Sequence, residues 1–322
     1  MRVLVNNIRS TNSTLLVRLL KRIKKFTVEV WGTDVAAPGF IAASTFVDRY
    51  FQAPNIDDEV AYLAFLQNLS KQHSIDFIFV STDKEVRFMN RYKDEIAIPF
   101  LNPSHEIITL FQDKLDASFA IDKLGIAIPS TCTNLFGKGK VIFRKRCSVS
   151  STGIYVTDLS TATHIENHFH ADWFAQTFLE GTTYVVDMFT DHEGKPKLIL
   201  PRKKIEMQNA SAFRSQLVKH EQLIETCKTI YSHFCIPGLS NIEFIENADG
   251  LHFIEINLRI GGSATAGVIA SFNYVEQYLE HFVNGSPLES LETYMDCVAW
   301  GSIVSRFYEE VIVDEKHISL PL

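Results

Sequence analysis

The chain has 322 residues, 46% hydrophobic and 21% charged, a balance that suits a globular protein with two or three core-forming units. Its net charge of −7 argues against a general nucleic-acid surface, and it holds no apolar run long enough for a membrane helix. The five cysteines (Cys132, Cys147, Cys227, Cys235, Cys297) are scattered without a CxxC, and MRVLVNNIRS lacks the apolar core of a signal peptide, so a cytoplasmic home is expected. Cys132 and Cys147 have no Cys/His/Asp set around them and read as small packing residues.

In chain order, VLV at 3–5 reads as a buried strand and 13–25 as a helix, from the spacing of Leu15, Leu16, Leu19, Leu20 and Ile23. FTVEVWG at 26–32 is a second strand, 57–72 a helix and DFIFVSTD at 76–83 a third strand. Strands alternating with helices predict a parallel sheet covered by helices. The first turn, NNIRSTNS, is no GxGxxG, so no dinucleotide site is expected. Thr82-Asp83-Lys84-Glu85 falls at the C-terminal end of a predicted parallel strand, where open sheets bind ligands, although a helix cap explains it as well.

Residues 104–124 read as helices, 125–131 as extended chain, 140–146 as a strand and 163–177 as a helix. His164 and His168 stand four apart there, but Glu166 is one place off the HExxH spacing, and a solvated helix is the simpler reading than a metal site that also takes in His170. TTYVVDMFT and KLILPRKKIEM flank a hairpin turn at Asp191–Gly194. A helix is predicted over 217–235, helical patterning over 265–284 and a strand over 296–307. Isolated basic runs such as Arg144-Lys145-Arg146 and Arg202-Lys203-Lys204 read as solvated faces.

NIEFIE, NADG and LHFIEINLRI form a second hairpin. Ile254, Ile256, Leu258 and Ile260 alternate with Glu255, Asn257 and Arg259, giving one apolar and one polar face. Pairing Glu246 with His252 leaves a loop at 247–251 and sets Glu243 opposite Glu255 and Asn241 opposite Asn257. Like charges directly opposite are destabilising, so a positive group belongs between them, either Arg259 or a divalent cation held by Glu243, Glu255 and Asn257. A solvated outer sheet face is the alternative.

These residues resemble the ATP-grasp enzymes, on the branch of the carbamoyl-phosphate synthase large subunit and biotin carboxylase. The resemblance spans nearly the whole chain and is most specific over 112–263. Glu243, with Glu255 twelve residues on and Asn257 after it, matches the Mg²⁺ ligands, Arg259 the catalytic arginine beside the transferred phosphoryl group, and Gly261-Gly262-Ser263 the turn beyond. Lys114 and Arg144 match phosphate-binding cations, and Arg146 is placed with them. Ser148 to Gly153, with Ser150 and Ser151, matches the phosphate-covering loop, here rich in serine rather than glycine. QTFLEG matches the hinge that holds adenine, through Gln176 and the backbone near Phe178 and Leu179, while Thr177 and Thr183 stand where many relatives carry Glu. PRKKIE matches a basic segment facing phosphates or the acid substrate, represented by Lys203.

The resemblance implies an α/β N-terminal substrate-binding unit with a parallel sheet (1–103), then linker helices and a small lid (104–178), then an α+β subdomain carrying the Mg-phosphate site (179–322). It implies ATP and Mg²⁺ at two sites, with Mn²⁺ as a substitute, and small-molecule carboxylate and amine substrates, with no nucleic-acid or membrane partner. A homodimer is expected from family habit. The implied function is an ADP-forming ligase that makes an acyl-phosphate for attack by an amine. A kinase-like subunit handing its intermediate to a partner, and a nucleotide-binding scaffold with weak turnover, are the alternatives.

Overall fold

The structure, a computed structural model, describes residues 1–131, 139–148, 153–165, 172–208, 211–307 and 309–313. Strands β1 (Arg2–Val5), β2 (Glu29–Asp34), β3 (Arg49–Gln52) and β4 (Phe77–Phe79) form a parallel sheet in the order β3-β2-β1-β4. Val3, Leu4 and Val5 are fully buried, as a parallel strand covered on both faces requires. Helix α1 (Thr11–Leu20) starts at Ser10, whose side chain accepts from the Ser13 N–H. Helix α2 (Glu59–Gln72) starts at Asp58 in the same way. The strand order reverses beside β1, so the crevice between the ends of β1 and β4 is the sheet's switch point. Strand β3 is not predicted from the sequence: only Tyr50 and Phe51 are buried, between exposed Arg49 and Gln52, so it shows neither a continuous apolar run nor a clean alternation.

Helix α3 (Asp83–Arg91) begins with a capping box of Thr82 and Glu85. Helices α4 (His105–Gln112) and α5 (Lys114–Asp122) follow. Strands β5 (Lys140–Lys145), β6 (Ile154–Asp158) and β7 (Trp173–Thr177) make a small antiparallel sheet in the order β6-β5-β7, with helix α6 (Leu159–Ile165) between β6 and β7. The helix expected over 163–177 is therefore corrected: α6 starts earlier, and its last five residues are strand. Phe174 and Gln176 are the buried positions of β7, and a buried Gln hides the two-residue alternation from the sequence. His164 lies at the end of α6, with its side chain outside the described set, as are Glu166, His168 and His170. Cys147 is exposed rather than packed, and Cys132 lies outside the described residues.

Strands β8 (Thr182–Thr190), β9 (Pro196–Gln208), β10 (Ser211–Leu217), β11 (Gly238–Asn247), β12 (Gly250–Asn257) and β13 (Ile303–Ser305) build a six-stranded antiparallel sheet in the order β12-β11-β8-β9-β10-β13. Helix α7 (Glu221–Phe234) packs Leu223, Cys227 and Ile230 into a core shared with Phe244 and Phe253, while α8 (Thr265–Ile269) and α9 (Tyr274–Phe282) cover the N-terminal side. Tyr278 of α9 meets Phe79 of β4 at 4.8 Å between ring centroids, and Lys25 pairs with Glu280 at 2.7 Å, joining the parallel sheet to the C-terminal half. The predicted strand over 296–307 shortens to β13, because helix α10 (Leu291–Asp296) takes its first residue and a turn follows. Among the described residues no helix is long and apolar enough to cross a membrane.

The β8–β9 hairpin turns through Asp191, whose Oδ1 accepts from the N–H groups of Glu193 and Lys195. Gly194 has φ +79, and a Cβ there would lie 2.3 Å from the backbone carbon of Cys235. Both the torsion and the contact exclude a side chain. Gly194→Ala is predicted to destabilise the fold by more than about 1 kcal/mol in denaturant unfolding, with an unchanged m-value.

Candidate functional site

The polar face of β12 opens on a cavity of about 490 Å³ bounded by the two antiparallel sheets and the N-terminal unit. Asn241 pairs with Asn257 and Glu243 with Glu255 across β11 and β12, the register the sequence predicts at these positions. Beyond them a bulge shifts the pairing, so Glu246 faces Leu251 rather than His252, and the loop is a tight turn at 248–249 rather than 247–251. The bulge also re-aims Ile254, which lines the cavity beside Glu255 instead of joining the core wall.

The two opposed glutamates each have a cation. Lys204 Nζ lies 2.8 Å from Glu243 Oε2, and Arg144 Nη2 lies 2.9 Å from Glu255 Oε2. Arg144 is buried and also donates to Gln176 Oε1 at 3.3 Å, while Gln176 donates to Thr131 Oγ1. Asn257 Nδ2 donates to Asn241 Oδ1 at 3.2 Å and to Glu255 Oε1 at 3.3 Å. Burial pushes the Glu255 carboxyl up, but the charges of Arg144 and Lys114, with the Asn257 bond and Arg259, outweigh it and hold the group below the usual carboxylate range.

Arg259 donates to Asp83 Oδ2 at 3.1 Å and to Asn257 Oδ1 at 3.2 Å, and its buried Nε has no hydrogen-bond partner among the described residues. Its carbonyl accepts from Asn241 Nδ2 at 3.0 Å. Beneath the turn that follows, Arg202 and Asp187 form a fully buried bidentate pair at 2.7 and 2.8 Å. Arg202 also donates to Ser263 Oγ at 3.1 Å, tying Gly261-Gly262-Ser263 to the sheet. Lys114, the first residue of α5, donates to the Ser148 carbonyl at 2.9 Å. The far end of the cavity is apolar, lined by Ile142, Ile154, Phe178, Leu179, Met207 and Ile245. The Phe178 N–H is already donated to the Lys140 carbonyl at 2.9 Å.

Lys114, Arg144, Gln176, Phe178, Leu179, Glu243, Glu255, Asn257 and Arg259 thus line one cavity. Two expected residues do not. Arg146 pairs with Asp113 at 2.7 Å and Asp116 at 3.0 Å, where it closes the cap of α5. Lys203 is replaced by Lys204, because side chains of a strand alternate and 202 and 204 share the cavity face. That parity is hidden in the sequence: β9 is buried on both faces from Leu198 to Arg202. Ser150 and Ser151 lie outside the described residues. Reading the sequence also missed Lys204, Asn241, Thr11 and Asn12, and gave Asp83 only a tentative contact. The signals the sequence held were the start of helices after parallel strands for Thr11, Asn12 and Asp83, the register opposite Asn257 for Asn241, and the basic run 202–204 for Lys204.

The donor set fits a hard divalent cation bound together with phosphate. Two carboxylates and an amide oxygen suit Mg²⁺, which keeps few protein ligands and completes its shell with water and phosphate. Among the described residues no three His, Cys, Asp or Glu side chains converge as a self-sufficient metal cage. Lys114, Arg144 and Lys204 are suited to phosphate oxygens.

A family model described as ATP-grasp in the biosynthetic pathway with Ter operon matches residues 169–302. No curated protein matches the sequence. Among solved structures, the chain is similar to the biotin carboxylase domain of 2-oxoglutarate carboxylase from Hydrogenobacter thermophilus, solved with MgADP, ADP and bicarbonate (14% identity, TM-score 0.73, 94% of this chain and 73% of that one). It is also similar to N5-carboxyaminoimidazole synthetase from Staphylococcus aureus (14%, 0.70, 89% and 78%) and to an L-amino acid ligase from Bacillus licheniformis (14%, 0.70, 92% and 77%). The chain has the ATP-grasp fold.

The lowered pKa of Glu255 has a consequence for acid stability. Its ionised form is favoured in the fold, so its contribution is complete above the unfolded-state value of about 4.3 and fades as pH falls through the lower folded value. Glu255→Gln is predicted to flatten the loss of stability below about pH 4.3, read from urea midpoints at stepped pH. An unchanged slope would contradict the assignment.

Proposed function

From the ATP-grasp fold of this chain, we propose that it is an ATP-dependent, ADP-forming carboxylate–amine ligase. The observation that carries the reading is the pair Glu243 and Glu255, directly opposed across two strands and each held by a cation, with Asn257 and Arg259 continuing the same face. The solved relatives support it: one binds MgADP, and another is an amino acid ligase.

In this reading a carboxylate oxygen of the substrate attacks the γ-phosphorus of ATP. The bond from that phosphorus to the bridging oxygen breaks, giving an acyl-phosphate and ADP. An amine nitrogen then attacks the acyl carbon, the carbon–oxygen bond to phosphate breaks, and the amine proton is lost to solvent or a base. Phosphoryl transfer depends on positioning and charge neutralisation, which accounts for a site of cations and carboxylates without a side-chain nucleophile. Glu243, Glu255 and Asn257 would hold Mg²⁺, which when bound neutralises phosphate charge. Lys114, Arg144 and Lys204 take phosphate oxygens, and Arg259 stabilises charge on the transferred group. The apolar end between Ile154 and Met207 accepts the base. Residues 1–103 supply the acceptor end of the cavity, 104–178 the linker helices and lid, and 179–322 the phosphate site.

Calorimetric titration with a non-hydrolysable ATP analogue is predicted to show binding that needs Mg²⁺ and is lost or strongly weakened in Glu255→Ala. At 100 times its dissociation constant the ligand should stabilise the fold by about 2.7 kcal/mol. Binding that ignores both Mg²⁺ and the substitution would overturn the reading. Tight binding without ADP release from any acid would favour a nucleotide-binding scaffold.

A further inference from the structure

One carboxylate in the cavity stands apart from the opposed pair Glu243 and Glu255. Asp83 is the first residue of α3, at the C-terminal end of β4 beside the switch point, where Thr11 and Asn12 line the same end of the cavity. The capping box fixes this helix start: Glu85 Oε2 accepts from the N–H groups of Ser81 at 3.0 Å and Thr82 at 2.9 Å. The neighbouring Lys84 turns away to Asp57 at 2.7 Å, and Arg87, one helical turn on, lines a small side pocket with Asp83 but forms no ion pair with it among the described residues. Asp83 does not join Glu243 and Glu255 in a three-carboxylate metal cluster. Its cation is Arg259, at 3.1 Å, with both side chains largely shielded from solvent.

On the reading proposed above, Arg259 turns to the reacting carboxylate and its phosphorylated form. Drawing Arg259 away leaves Asp83 facing the cavity without its cation, and a shielded charge stripped of its partner is costly. The occupant must therefore bring a negative group for Arg259 and a positive group for Asp83, close together. We infer that the carboxylate substrate is an α-amino acid, its carboxylate on Arg259 and its ammonium group on Asp83. The zwitterion replaces one ion pair by two.

The test uses the whole chain with ATP, Mg²⁺ and hydroxylamine as an uncharged nucleophile. Hydroxylamine attacks the acyl carbon, expels phosphate and leaves a hydroxamate. Matched acids are compared: L-alanine with propionate, L-leucine with 4-methylpentanoate, L-phenylalanine with 3-phenylpropionate and L-glutamate with glutarate. At least one amino acid should exceed its des-amino partner in kcat/KM by about tenfold or more, and Asp83→Asn should cut that ratio by about tenfold or more, through the amino-acid KM. Asp83→Glu, which keeps the charge, should restore part of the preference. Calorimetry with Mg²⁺ and the ATP analogue shows whether each variant is folded and binds nucleotide. The inference falls if des-amino acids serve wild type equally well, if the ratio survives in Asp83→Asn, or if Mg·ATP binds yet no amino acid gives hydroxamate. Failure of Mg·ATP to bind wild type would instead remove the ligase reading beneath it.

Discussion

Two glutamates face each other across a β-ladder, and the structure around them is arranged so that this is tolerable. At a separation of about 5 Å and an effective dielectric of about 20, two like charges repel by about 3 kcal/mol, more than the 0.2–1 kcal/mol that a favourable cross-strand pair contributes. Glu243 and Glu255 are in that register, and Lys204 from β9 and Arg144 from the small sheet meet them. The cations come from different sheets, so the charge balance that makes the hairpin possible also ties the small sheet to the large one. In the function proposed for this cavity the same cations would have a second use: a divalent ion on the glutamates would free Lys204 and Arg144 toward phosphate oxygens, so the charge count would suit a metal–nucleotide complex better than a bare metal.

Below the site the buried Asp187–Arg202 pair plays a different part. A buried pair of this kind gives little net stability, but removing one partner is costly, so it fixes geometry more than it adds free energy. Its Arg202 holds Ser263 and, through it, the turn that carries the backbone past Arg259. Asn241 completes the frame by bonding both Asn257 and the Arg259 carbonyl. The N-terminal unit enters only at its strand ends, through Thr11, Asn12 and Asp83, and α9 holds that unit against the large sheet by aromatic contact with Phe79.

What the sequence made legible follows from where each signal is local. The alternation of Glu255, Asn257 and Arg259 is a property of one strand, and the opposed glutamates follow from one hairpin, so both could be read. The bulge could not, since it depends on how β12 meets β11, and it moved Ile254 to the other face. The choice between Lys203 and Lys204 turns on strand parity, which a run buried on both faces conceals. Arg146 reads as a phosphate ligand beside Arg144, but its partners Asp113 and Asp116 lie 33 and 30 residues back and come close only in the fold. Strand β7 was hidden by a buried Gln176 that the fold satisfies with Thr131 and Arg144.

The central claim is that the two glutamates wait in ion pairs and take a divalent cation only when phosphate arrives to receive the released lysine and arginine. Titration of Mn²⁺ followed by electron paramagnetic resonance, with and without ADP, tests it most directly. The account predicts weak Mn²⁺ binding to the chain alone and markedly tighter binding with ADP, lost when Glu243 and Glu255 are both changed to Gln. Tight binding without nucleotide, or ADP-dependent binding that survives the double substitution, would contradict it.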